Sequence, residues 1–134
     1  MPEIVTKLNE VLADEWACVR ALRRAESLSD EPGTHEVIKR VRKDCSVNCV
    51  SLANIVRGLG GGPTDIPSAR FSLKLTDESL ADCLDLIQSA QEHIVAAVDA
   101  LIDGVELKSC REALLLVRKL HTENVRWLKS ATSL

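Results

Sequence analysis

Four stretches of this chain carry apolar seams in steps of three and four residues, and each seam is interrupted near its middle by polar residues. Such spacing puts side chains on one face of an α-helix, so four amphipathic helices are predicted. The interruptions are Glu15 in the first, Cys45 and Asn48 in the second, Gln91 in the third, and His121 and Asn124 in the fourth. A polar group at a core position is costly unless it finds a partner. Four breaks at one height therefore imply a single shared polar layer, and that layer is the chain's strongest functional lead.

The seams set the helix boundaries. The first helix is expected over Pro2 to Leu28, with Leu8, Leu12, Glu15, Val19 and Leu22 inward, and the Ser29–Gly33 segment as its turn. The second starts near Thr34 as N-cap and runs through Ile38, Val41, Cys45, Asn48, Leu52, Ile55 and Leu59 to a Gly60-Gly61-Gly62-Pro63 stop. The third starts after Thr76 or Asp77, with Asp77 and Glu78 at the positive end of its dipole, and carries Leu80, Leu84, Ile87, Gln91, Ile94, Val98 and Leu101. The fourth starts either near Val105 or at a capping-box spacing, Ser109 to Glu112. Its seam is Leu114, Val117, His121, Asn124, Leu128 and Ala131.

Loop lengths point to a topology. The first and third connections are short and make antiparallel hairpins. The middle one, Gly60 to about Thr76, is long. A helix of this size is about 39 Å long, and an extended linker of this size reaches roughly 50 Å. The linker can cross the whole bundle and leave the second and third helices parallel. The expectation is an all-α four-helix bundle with a long crossover between helices 2 and 3, residues 1–134 forming one domain.

Composition narrows the function classes. Aromatic residues make up 2%, with no Tyr, so aliphatic side chains must fill the core, which favours helices. A net charge of −3 gives no footprint for nucleic acid, and the Lys39, Arg40, Arg42, Lys43 run reads as a solvated helix face. No apolar run reaches the ~20 residues of a membrane helix. The first residues, Met-Pro-Glu-Ile-Val, lack a signal-peptide pattern. Five scattered cysteines (Cys18, Cys45, Cys49, Cys83 and Cys110) suit free thiols in a reducing compartment, and a cytoplasmic protein is expected.

Three segments, LNEVLADEWACVRAL (Leu8 to Leu22), LANIVRGLGGGPTD (Leu52 to Asp65) and KLHTENVRWL (Lys119 to Leu128), resemble the ferritin-like superfamily in its small bacterial branches near rubrerythrin. The resemblance covers nearly the whole chain. It implies a ferritin-like bundle, pairing of copies through helix faces, and a di-iron site with one Glu on each of the first and third helices and Glu-x-x-His on the second and fourth. Carried over by position, only Glu15 matches. Cys45-x-x-Asn48 replaces one motif and His121-x-x-Asn124 the other. Gln91 replaces the third-helix Glu, with Glu92 one residue away.

One carboxylate and one thiol cannot neutralise two iron ions in a dry core, so a di-iron centre is not expected. Three readings stay open. The layer is a closed hydrogen-bond network, with Glu15 on His121 and the Asn48, Gln91 and Asn124 amides satisfying one another. Alternatively, Glu15, Cys45 and His121 hold one transition metal ion, zinc-like in donor type. In the third, a small ligand or redox partner meets a reactive Cys45. The leading expectation is a non-enzymatic module without a cofactor, associating with itself as a dimer or with another protein. The surface for this would be Val37, Val56, Ile66, Phe71 and Leu73. His93 and His35 are expected at the surface, Trp16 and Trp127 in core or interface packing, and Cys83 and Cys110 near helix ends.

Overall fold

A computed structural model describes residues 2–71 and 79–132. Four helices form: α1 (Pro2–Leu28), α2 (Pro32–Gly58), α3 (Leu80–Ile102) and α4 (Lys108–Thr132). A 3₁₀ turn covers Ala69–Phe71, and no strand occurs among the described residues. The protein is an all-α four-helix bundle. Helix α1 packs on α2 and α3, and α4 packs on the same two, so α1 and α4 lie across one diagonal and α2 and α3 across the other.

The predicted seams make the core. Leu8, Leu12, Val19 and Leu22 of α1 are buried, with Ile38, Val41, Leu52 and Ile55 of α2. Leu84, Ile87, Ile94 and Val98 of α3 join Leu114, Val117 and Leu128 of α4. Leu59 just beyond α2, Leu101 near the end of α3 and Ile4 near the start of α1 line one cavity at the same end of the bundle. Helices α2 and α3 therefore run parallel, as the linker's reach predicted.

Local chemistry moves three boundaries. Helix α2 begins before Thr34, because the Glu31 carboxylate accepts from the Gly33 and Thr34 amides at 3.0 and 2.6 Å and Pro32 needs no acceptor at the first turn. The α1–α2 connection shrinks accordingly to residues 29–31. Helix α3 begins at Leu80 with a Ser79–Asp82 capping box: Ser79 Oγ accepts from the Asp82 amide and Asp82 Oδ2 from the Ser79 amide. The expected start after Thr76 or Asp77 lies outside the described residues. Helix α4 begins at Lys108, between the two anticipated starts, with Ser109 already inside it.

At the far end of α2, Gly60 takes the left-handed conformation (φ 86°), and the Gly61 amide donates to Val56 O. The crossover then lies along α1. Asn9 clamps it twice, donating to Gly62 O and accepting from the Thr64 amide. Trp16 Nε1 donates to Thr64 O, and the Ser68 amide donates to Ala13 O. Irregular backbone cannot satisfy its own polar groups, and α1 supplies partners for these.

The expected association surface changes with the packing. Val56 is buried, Val37 and Phe71 are partly buried, Ile66 is exposed, and Leu73 lies outside the described residues. Val56 is one residue from the seam, where the Gly61 turn and Val5 close over it. The exposed large apolar side chains on α2 and α4 are Val47, Val50, Leu115, Leu116 and Trp127. Arg40 lies 4.6 Å over the Trp127 ring. Trp16 is partly buried. His35 is half-buried beside Glu26.

Candidate metal centre

Glu15, Cys45, Asn48, Gln91, His121 and Asn124 are all buried to within 1% of complete. One residue per helix occupies the central level: Glu15 from α1, Cys45 from α2, Gln91 from α3 and His121 from α4. Glu15 Oε2 and His121 Nε2 share a hydrogen bond of 2.5 Å. Gln91 Nε2 donates to Cys45 Sγ at 3.6 Å. The donor atoms of Glu15, Cys45 and His121 lie within 4.8 Å of one another. Asn48 and Asn124 stand about one turn beyond Cys45 and His121 on the same faces. Gln91, and not Glu92, faces inward; Glu92 is exposed and pairs with Lys129.

The layer does not close as a network. Glu15 Oε1, His121 Nδ1, Gln91 Oε1, Asn48 Nδ2 and Asn124 Nδ2 are buried without a hydrogen-bond partner in the protein. The expected pairing of the three amides with one another does not occur: the Gln91 amide nitrogen is committed to Cys45 and the two Asn nitrogens are unpartnered. Helices α2 and α4 run antiparallel, so Asn48 and Asn124, each three residues past the central level, step to opposite sides of it and away from each other. A buried unsatisfied group costs about 1–3 kcal/mol, so five of them set a demand that water or an ion must meet.

Burial pushes the Cys45 thiol well up, helped by the Glu15 charge and the neighbouring Cys18 and Cys49, while the Gln91 hydrogen bond acts the other way. Cys18 and Cys49 are also pushed up, by burial first and then by Glu15. All five cysteines are buried, and none is in a disulfide among the described residues. Such thiols are poor nucleophiles, which works against a reactive Cys45. A bound cation reverses that logic, because a coordinating thiol is deprotonated outright. The Glu15, Cys45 and His121 cluster could hold a metal ion.

Residues 2–130 match the family described as Domain of unknown function (DUF6306). The chain belongs to the DUF6306 family. No curated protein and no solved structure matches it.

Sequence reasoning missed Asp14. It is 1% exposed, beside Glu15 on α1 but turned toward α3 and the crossover, where Arg70 and His93 face it. Its burial depends on the crossover lying along α1, and no spacing in the chain signals that. His93 is exposed and outside the central layer, as expected, and its ring reaches back to Asp14.

Proposed function

We propose that this DUF6306 chain is a non-enzymatic ferritin-like helical module in which a site for one divalent transition metal ion stands where the di-iron centre would be. The carrying observation is the convergence of Glu15, Cys45 and His121 within 4.8 Å, ringed by buried polar atoms that lack partners. The ferritin-like assignment rests on the sequence resemblance, and the parallel α2 and α3 with one long crossover agree with it.

Charge decides the metal count. The Glu15 carboxylate and a Cys45 thiolate carry two negative charges, which a single divalent ion cancels. Two irons would leave two or more positive charges in a dry core, at several kcal/mol per ion. Amides at Asn48, Gln91 and Asn124 add no compensating charge, so the residues present do not fit a di-iron group. A carboxylate, thiolate and imidazole set suits zinc-type ions. The Gln91 amide meets Cys45 Sγ through Nε2 and has an unpartnered Oε1, so turning that amide over would add a fourth, neutral oxygen donor without a reacting water.

Ligands on one zinc stand about 3.3 Å apart, given metal–ligand bonds near 2.0–2.2 Å. The 2.5 Å Glu15–His121 contact must therefore open by roughly 0.8 Å for an ion to enter between them.

Metal analysis of purified protein, followed by zinc titration, tests this. About one zinc per chain is expected, lost in Cys45→Ala. Two irons per chain, or zinc uptake unaffected by Cys45→Ala, would refute it.

Self-association is a second part of the reading, supported by exposed Val47, Val50, Leu116 and Trp127 on adjacent helices. Sedimentation at micromolar concentration should show a dimer that Val50→Lys weakens; a monomer throughout removes this part.

A further inference from the structure

A second cavity, about 310 Å³, opens on the α1–α3 face beside the crossover, away from the central layer. Lys7, Glu10, Asp14, Arg70 and His93 line it, with Leu101 on its apolar wall. Asp14 is the buried member. Arg70 Nη2 stands 3.7 Å from its Oδ1 and His93 Nε2 3.6 Å from its Oδ2. These separations allow charge attraction but exceed hydrogen-bond length. Asp14 Oδ1 has no hydrogen-bond partner.

The two basic side chains are braced by a neighbour. Phe71 meets the His93 ring edge-on, with centroids 5.7 Å apart, and the Arg70 guanidinium lies 5.8 Å from the Phe71 centroid. Arg70 and His93 are thus held beside the carboxylate with donor capacity to spare. A buried carboxylate oxygen favours a charged donor over a neutral one, and a guanidinium favours a carboxylate.

Formal charges around the cavity cancel: Lys7 and Arg70 against Glu10 and Asp14, with His93 neutral. A cavity of no net charge does not concentrate simple anions or simple cations. It suits a molecule that carries both signs a few ångströms apart. The volume sits at the small end of ligand pockets, which run about 300–1,000 Å³.

We propose that this cavity binds a small zwitterion of the α-amino-acid type, its ammonium on Asp14, its carboxylate on Arg70 and a short apolar side chain against Leu101. The ammonium supplies the donor that Asp14 Oδ1 lacks. The carboxylate closes on a guanidinium that its present partner does not saturate.

Calorimetric titration of the full chain with L-valine tests the proposal. Two probes each lack one charge: 3-methylbutanoate and 2-methylpropylamine. L-Valine should saturate one site per chain, and each single-charge probe should bind at least about tenfold more weakly. Asp14→Asn and Arg70→Ala should each lower L-valine affinity about tenfold or more. Arg70 is half-exposed, so its variant tests the site even if Asp14→Asn perturbs the fold. The proposal is overturned by absence of saturation up to about 50 mM L-valine. It is also overturned if 3-methylbutanoate binds equally well, or if L-valine affinity is unchanged in both variants.

Discussion

Replacing His121 by Leu, Glu15 by Leu, and both together measures whether the central layer acts as a unit. Both side chains are fully buried and share one 2.5 Å hydrogen bond. In His121→Leu the Glu15 carboxylate keeps no hydrogen-bond partner, since its Oε1 has none to begin with. Removing one partner of a buried pair costs about 3–5 kcal/mol. Glu15→Leu leaves His121 with both ring nitrogens bare, because Nδ1 is already unpartnered, at about 1–3 kcal/mol per polar group. The double variant removes both orphaned groups and keeps only misfit packing, about 1–3 kcal/mol. The coupling energy should then be about 3 kcal/mol. A bundle of this size has a total stability of about 7–20 kcal/mol, so the single variants should still fold. Urea unfolding of chelator-treated protein gives the four free energies, and the double variant should be more stable than His121→Leu alone. Coupling below about 0.5 kcal/mol would mean that the two groups act independently, and the shared-layer reasoning would be wrong.

Zinc at one hundred times its dissociation constant should stabilise the wild type by about 2.7 kcal/mol and Cys45→Ala by much less; equal stabilisation places the ion elsewhere. Because burial holds the Cys45 proton on and zinc must displace it, apparent zinc affinity should rise about tenfold per pH unit between pH 6 and 8, as competition with a chromophoric chelator would show. Metal-free protein should lose stability as pH rises past the ordinary thiol value of 9.0. Unfolded thiols ionise there while the buried Cys18, Cys45 and Cys49 keep their protons, at about 1.4 kcal/mol per thiol per pH unit. Burial, opposed by Arg70, Ser68 and His93, raises the Asp14 carboxyl above its ordinary 3.8, so Asp14→Asn should be more stable than wild type at pH 7 and lose that advantage as pH falls through the raised value, with none left below 3.8. Gly61→Ala should destabilise the fold by about 1–3 kcal/mol in thermal or urea melts, because its Cβ would lie 2.5 Å from Val5 Cγ1 and 3.1 Å from Val56 Cγ1.

Periodicity alone determined the four helices, their inward faces and the six polar residues that break them. A seam residue is inward wherever the helix packs, so Glu15, Cys45, Asn48, Gln91, His121 and Asn124 were legible as buried before any neighbour was known. The reach of the residues after Gly60 likewise made α2 and α3 parallel, since chain length limits span. Tertiary structure decided which buried groups meet. Pairing depends on helix rotation and separation to within an ångström, and spacing carries neither. Glu15 thus finds His121 while the three amides fail to find one another. Helix starts also waited on the fold, because Glu31 and Ser79 cap with side-chain rotamers that compete with equally plausible neighbours such as Thr34. Asp14, Arg70 and His93 come from α1, the crossover and α3, and only the lie of the crossover along α1 brings them together. Their meeting depends on a segment without periodicity, whose path is set by Asn9, Ala13 and Trp16 offering hydrogen bonds to its backbone.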